Sequence, residues 1–286
     1  MIIVTGATGH LGSQIVRQLL ERVPGDQVAV SVRDTDRAAD LASRGVRVRR
    51  GDFTEPGSLA SAFEGASQVL IVSANATGGA ALAQHIAALD AARDAGAQRV
   101  LYTSHMAASA DSLFAPMPDH AATEQHLSRL GMPFTSLRNG FYATTVPYLL
   151  GPALKTGELV APADGPVSWT THADLAEAAA IILHDQRLDG ITPPLTAGHA
   201  PDLEEVAGVL SELTGRTIRR VLADDQEWTA GLAGQGMPEG QARMLLGLFL
   251  AARRGEFAAV DPTLQELLGR KPNTVRTILQ KVVSAG

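Results

Sequence analysis

The stretch VTGATGHLG at residues 4–12 constrains the fold more than any other part of the chain. An apolar run, Ile2–Thr5, leads into three glycines at Gly6, Gly9 and Gly12, and a helical pattern follows at once. Over His10–Arg22 the apolar residues Leu11, Ile15 and Leu19, with Val16 and Leu20, recur at the 3.6-residue period. A strand joined to a helix by so short a glycine turn fits the start of a βαβ unit. There Gly6 permits the turn, Gly9 admits a close phosphate, and Gly12 lets the helix pack on the strand. The spacing is GxxGxxG rather than GxGxxG. It reads either as a structural corner or as a seat for a dinucleotide's pyrophosphate, and the strand-before, helix-after setting favours the second.

The same alternation continues. Strands are expected at Gln27–Val32, Val46–Arg49, Gln68–Ser73, Arg99–Ser104 and Phe134–Arg138, and near Ile191–Thr196. Helices are expected near Asp36–Arg44, after GDFTEPG, over the Ala-rich Gly79–Ala95, at His120–Leu130 and at Ala173–His184. Such short-spaced repetition means an α/β fold, a Rossmann-type doubly wound parallel sheet. Residues 1–140 are expected to form the dinucleotide-binding domain and 141–168 a cleft and cap segment. Residues 169–198 return to the first domain, and 199–286 form a smaller, mostly helical C-terminal cap.

Composition narrows the function classes. There is no cysteine, which removes disulfides, thiolate nucleophiles and Cys-ligated metals. The net charge of −6 and the lack of a recurring Lys/Arg stripe argue against nucleic acid as the primary partner. The run RGVRVRR alternates valine and arginine, as a solvated sheet edge does. Charges interrupt every apolar run before membrane-spanning length, and no signal-like segment opens the chain, so a cytoplasmic protein is expected.

Candidate site residues fall at strand ends. After the second strand, Arg33 and Arg37 suit the 2′-phosphate of NADP(H), although Asp34 beside them keeps NAD(H) as an alternative. Asp52 either accepts from the adenine amino group or caps its own turn, and Phe53 can wall the ring. Ser73, Ala74 and Asn75 close the fourth strand beside the expected cofactor path, where Asn75 faces the cleft or holds the turn. His105 and His120 are candidate proton donors or orienting groups, or else a loop and a helix-end residue. In HAATEQH, His120, Glu124 and His126 make no clean ligand face, so a solvated helix surface is expected and no metal. The run LRNGFY offers Asn139 and Gly140 to the nicotinamide carboxamide, with Phe141 and Tyr142 as an aromatic wall or as core. Tyr142 is also a catalytic candidate.

One catalytic arrangement is excluded. Alcohol dehydrogenation often uses a tyrosine with a lysine four residues on, but Tyr102, Tyr142 and Tyr148 are followed there by Met106, Val146 and Pro152, and the first lysine is Lys155. Quinones and other electron-poor acceptors ask less: correct stacking with a nicotinamide and a proton donor, water included.

VTGATGHLG, VRD at 32–34, GDF at 51–53, YTS at 102–104, HAATE at 120–124, LRNGFY at 137–142 and LLGRKPNTVRTIL at 267–279 resemble the NmrA-like atypical short-chain dehydrogenases. The chain looks most like their type-2 NAD(P)H:quinone oxidoreductases and flavin-free azoreductases. The resemblance implies NADPH bound without flavin. It implies a cofactor lining from the turn Gly6, Thr8, Gly9, His10 and Leu11, from Arg33, from Ser73–Asn75, and from Asn139, Gly140, Phe141, Tyr142, Ala143 and Thr144. Ser104 sits where ordinary relatives place a catalytic serine. His105 is a departure, since many relatives carry a small residue there. The partner implied is a small-molecule electron acceptor, with a homodimer compatible. A second class of relatives resembles the regulator NmrA, binding dinucleotide as a redox sensor with little turnover. The tail QARMLLGLFLAARRGEF at 241–257 can cover the cleft, build a dimer interface or receive a partner helix.

Overall fold

A computed structural model describes residues 1–285. The chain runs through β1 (Ile2–Thr5), α1 (His10–Leu19), β2 (Val28–Val32), α2 (Ala39–Ser43), β3 (Arg47–Arg50), α3 (Leu59–Ala62) and β4 (Gln68–Ile71). It continues through α4 (Gly79–Asp94), β5 (Arg99–His105), α5 (Pro116–Arg129), β6 (Phe134–Asn139) and β7 (Phe141–Tyr142). Then come α6 (Val146–Leu149), α7 (Ala153–Thr156), β8 (Glu158–Pro162), β9 (Trp169–Thr170), α8 (His172–Asp185) and β10 (Gly190–Ile191). The last elements are α9 (Leu203–Thr214), β11 (Arg219–Ala223), α10 (Asp225–Gly234), α11 (Glu239–Arg253), α12 (Thr263–Leu268) and α13 (Val275–Ala285).

Every residue of β1, β2, β4 and β5 is buried. Strands covered on both faces belong to a parallel sheet between helix layers. Seven strands form that sheet in the order β10-β6-β5-β4-β1-β2-β3, all parallel. The chain moves outward from β1 to β2 and β3, then returns to β4 and moves the other way. The switch point between β1 and β4 opens a crevice at the strands' carboxyl ends, where doubly wound folds bind ligands. On one face, Leu11, Ile15, Val16 and Leu19 of α1 pack with Leu175, Ile182 and Leu183 of α8. On the other, Phe63, Leu89 and Leu127 pack against Ile3, Val69 and Tyr102.

A third apolar cluster joins residues of 141–168 and 199–286, among them Phe141, Leu210, Phe249, Phe257 and Leu279, and includes Trp169. Besides its helices this part holds a two-stranded parallel ribbon, β8 with β11, which the expectation of a mostly helical cap did not include. α11 buries Leu248, Phe249, Ala251 and Ala252 in the same cluster, so these apolar positions serve the cap's own core. Leu264 of α12 packs instead into the α1–α8 cluster.

Most strand ends move by a residue or two from expectation, and two boundaries change more. α5 begins at Pro116, a residue whose fixed φ and missing N–H suit a first helical position, so His120 lies inside the helix rather than at its start. The strand expected over Ile191–Thr196 shortens to Gly190–Ile191, because Pro193 and Pro194 cannot donate to a ladder. Pairing resumes as a single bridge between Leu195 and Asn139.

The motif at 267–279 docks the tail. The Asp174 carboxylate, fully buried at the start of α8, accepts from Arg270 Nη1 at 2.8 Å, from Asn273 N at 2.8 Å and Nδ2 at 2.9 Å, and from Thr171 Oγ1 at 2.7 Å. Arg270 also reaches Glu177.

Candidate functional site

The glycine turn fills the crevice floor at β1. Gly6 has φ +61°, a left-handed backbone that side chains resist, and its carbonyl accepts from Gly9 N at 2.9 Å. A Cβ on Gly12 would lie 2.3 Å from that carbonyl oxygen, so helix and turn meet backbone to backbone. Gly9 is the residue before α1 and provides no side-chain cap. The opening N–H groups of α1, at His10, Leu11 and Gly12, have no carbonyl a turn earlier in the helix to accept them. With the helix dipole behind them they favour an anion, and Gly9 leaves room for it. This cradle fits the pyrophosphate of a dinucleotide. Thr8 and His10 border it, Thr8 half-buried and His10 exposed.

At the carboxyl ends of β2 and β3, Arg33 and Arg37 are exposed, and neither forms an ion pair with another described residue. Asp34 is occupied locally, its Oδ1 accepting from Asp36 N at 3.1 Å. Asp52 Oδ1 accepts from Thr54 N at 2.9 Å and Thr54 Oγ1 at 2.8 Å, the turn-capping geometry. Those bonds, with the nearby Arg33 and Arg50 charges, hold its carboxyl below the usual range. Phe53 leans against the α3–α4 side of the core. Arg49, expected on a solvated face, instead donates to the carbonyls of Ala62 at 3.1 Å and Glu64 at 2.6 Å, closing the end of α3.

The chain leaving β4 is pinned by side chains from three elements. Val72 N donates to Thr5 Oγ1 at 2.9 Å, Ser73 N to Thr103 Oγ1 at 2.8 Å, and Ala74 N to His85 Nε2 at 2.9 Å. Asn75 beyond them is exposed. At the end of β5, Ser104 is buried and donates to Glu124 Oε1 at 2.8 Å. Ser136 Oγ donates to the same oxygen at 2.9 Å, and Arg138 clasps the carboxylate with Nε at 3.0 Å and Nη2 at 2.6 Å. The expectation of a solvated helix surface at HAATE is therefore corrected: Glu124 faces the sheet and is 4% exposed. Burying a carboxylate costs free energy unless donors surround it, and here two hydroxyls and a guanidinium do.

His105 ends β5 with its ring edge-on to Phe141, centroids 5.2 Å apart, and to Phe257, 5.7 Å apart. It also stacks on His120 at 6.3 Å. Burial and the neighbouring His120 hold the His105 imidazole down to about 3, and burial holds His120 down to about 4, so both rings are neutral at physiological pH. Among the described residues no three His, Asp or Glu side chains gather as a metal site.

The run after β6 splits in two. Gly140 is packed inward, since a Cβ there would sit 2.2 Å from Thr170 Oγ1, and Asn139, Phe141 and Ala143 are buried. Tyr142 and Thr144 reach toward the glycine turn through a residue the motifs did not mark, His172. The Tyr142 ring lies 4.4 Å from that of His172, Thr144 Oγ1 lies 3.4 Å from its Nδ1, and the His10 ring lies 6.4 Å away. Burial and His10 lower the His172 imidazole to about 4. His85, Tyr102 and His172 were all missed. The signal for Tyr102 was a phenol directly after the apolar pair Val100 and Leu101 in a buried strand, where its hydroxyl demands a hydrogen-bond partner.

Comparison with known proteins places this geometry. A family model described as NAD(P)H-binding matches residues 6–186. The chain is 32% identical to quinone oxidoreductase 2 of Escherichia coli (strain K12), with 96% of each chain covered. It is 29% identical to the NAD(P)H azoreductase of Xenophilus azovorans, covering 96% of this chain and 95% of that one. The crystal structure of the E. coli NADPH-dependent quinone oxidoreductase QOR2 complexed with NADPH superposes with a TM-score of 0.93 at 30% identity, covering 99% of this chain and all of that one. The chain belongs to the NmrA-like, NAD(P)H-binding family. It is an NAD(P)H-dependent oxidoreductase similar to quinone oxidoreductase 2 and the azoreductase. Among the described residues no helix is long and apolar enough to cross a membrane.

Proposed function

We propose that this chain prefers NADPH and reduces a quinone, or a similarly electron-poor acceptor, directly and without flavin. The single observation that carries the reading is the continuity of the crevice wall. The glycine turn of β1, the pinned loop after β4 and His105 at the end of β5 come from carboxyl ends of the same sheet around one switch point, and the His172 ring that packs on Tyr142 lies 6.4 Å from His10 at the glycine turn. Arg33 and Arg37, paired with no carboxylate among the described residues, supply cations where an adenosine 2′-phosphate would be bound, and Asp34 is turned to the backbone of Asp36. Nicotinamide, when bound, supplies a hydride. The protein's own residues supply the rest. Gly6, Gly9 and Gly12 admit and hold the phosphates, and Ser73–Asn75 is kept in place by Thr103 and His85. The aromatic group of Phe141 and Phe257 forms an apolar wall beside His105 and excludes water. A quinone or azo group, already electron-poor, needs no Tyr–Lys pair to remove a proton, in keeping with the absence of one. Bridging the names of the relatives, the acceptor is a flat conjugated molecule.

The test is absorbance at 340 nm with purified protein, comparing NADPH with NADH, and 1,4-benzoquinone with an azo dye, after recording the flavin region of the spectrum. Saturable NADPH loss above the protein-free rate, from protein without flavin bands, is expected. Tight NADPH binding with no turnover overturns the reading in favour of a dinucleotide sensor acting through a protein partner.

A further inference from the structure

His85 and Tyr102 touch no reacting atom in the reading above, yet both are buried and Tyr102 links His85 to His120. Their hydrogen bonds assign every proton in the group. The Ala74 N–H donates to His85 Nε2, so that nitrogen carries a lone pair and the ring proton is on Nδ1. This Nδ1–H faces Thr123 Oγ1 at 3.1 Å and Tyr102 Oη at 3.2 Å. Thr123 directs its own proton to the Asp119 carbonyl at 2.7 Å and can only accept from His85. Tyr102 accepts from His85 as well, which leaves its proton for His120 Nδ1, 2.7 Å away. His120 therefore carries its ring proton on Nε2. His105 reaches the same state separately, because its Nδ1 accepts from the Ala107 N–H at 3.1 Å. Two neutral rings, stacked at 6.3 Å and 30°, thus each hold an Nε2–H that bonds to no described residue.

We propose that His85 and Tyr102 are positioning residues that hold His120 as a neutral Nε2–H donor, so that His105 and His120 together present two N–H groups to one electronegative atom of the acceptor. The proposal rests on the reductase reading and extends it to the acceptor's chemistry: a carbonyl oxygen, or an azo nitrogen, on which negative charge develops when hydride arrives. The network is a lock and not a proton wire. Passing its protons toward the acceptor would leave a phenolate at Tyr102, where burial pushes the hydroxyl pKa up, or an imidazolate at His85. The far end, at Thr123, leads only to a carbonyl, which has no proton to give. The hydride brings two electrons and one proton to the acceptor, and the anion that results takes its second proton from water while the two N–H groups stabilise it. His85 also accepts from Ala74, so one ring fixes both the loop after β4 and the tautomer of His120.

The experiment is nitrogen-15 NMR of the histidine rings in the full chain, alongside steady-state kinetics with NADPH and benzoquinone. The wild type is expected to show His120 protonated on Nε2 alone. Y102F is expected to shift that ring toward a mixture of tautomers and to lower kcat about tenfold or more, with KM for NADPH little changed. H85Q gives a second route to the same loss should Y102F fold poorly. H120Q keeps an amide N–H near the Nε2 position and should retain more activity than H120F. An Nδ1-protonated His120 in the wild type, or a Y102F spectrum and kcat like the wild type's, overturns the lock. An Nε2-protonated His120 in a protein that turns over no acceptor overturns the donor-pair role through failure of the reductase reading, with the tautomer assignment intact.

Discussion

Gly9→Ala and Gly12→Ala separate two tasks carried by one turn. At Gly12 the added methyl would lie 2.3 Å from Gly6 O, 2.7 Å from Gly6 C and 3.2 Å from Ala7 Cα, all backbone atoms that cannot rotate away. α1 must withdraw from β1 by several tenths of an ångström, against its packing on α8. Overpacking of that kind costs about 1–3 kcal/mol, a fall in Tm of roughly 2–5 °C for a chain of this size. The phosphate-facing N–H groups of α1 move with it, so NADPH affinity falls too. At Gly9 the methyl meets only Gly6 O, at 3.2 Å, and φ is −90°, which alanine adopts freely. Its structural cost is the weaker N-cap, about 0.5–1 kcal/mol. The space it fills is the space a phosphate would occupy against the backbone, so NADPH Kd should rise about tenfold or more, close to 1.4 kcal/mol. Thermal melts and fluorescence titration with NADPH read the two effects apart. A Gly9→Ala protein that binds NADPH as the wild type does would refute the assignment of this turn to the pyrophosphate.

Three further outcomes are expected. Arg33→Ala should weaken NADPH binding about tenfold or more while leaving NADH nearly unchanged, because it removes a charged bond that only the 2′-phosphate can receive; equal losses for both would remove Arg33 from cofactor selection. Asp174→Asn removes the buried member of the Arg270 ion pairs, leaving Glu177, and should cost about 1–2 kcal/mol in urea unfolding and speed hydrogen exchange in residues 270–285. Stability should fall on acidification from pH 6.5 toward 4. Burial above all holds His85 down to about 4 and His105 to about 3, so the unfolded chain binds protons that the folded chain refuses. Each buried neutral ring then costs about 2 kcal/mol at pH 5, readable as a lower urea midpoint than at pH 7.

The sheet was legible because its signals are local. Buried parallel strands are short apolar runs, and the glycine turn lies within seven residues of sequence. Fold class, and the glycine turn as a candidate phosphate seat, follow from those stretches alone. The β8–β11 ribbon was not legible, since its strands are more than fifty residues apart and each is partly exposed, which blurs any alternation. The polar interior was hidden for the same reason. Glu124 gathers donors from β5 and β6, and Tyr102 meets His85 from α4 and His120 from α5, pairings that no spacing within a single element encodes. Tyr102 was weighed only as half of a Tyr–Lys pair. The absence of that lysine was correctly read, but the phenol's actual partners depend on how two helices cross one strand.

The central claim is direct hydride transfer to an electron-poor acceptor. Its most direct test is stopped-flow decay at 340 nm under single turnover with benzoquinone, using flavin-free protein and either NADPH or NADPH deuterated at the transferred position of C4. The account predicts saturable decay, slowed about twofold or more by deuterium. Decay no faster than in protein-free controls, or fast decay that needs added flavin, would contradict it.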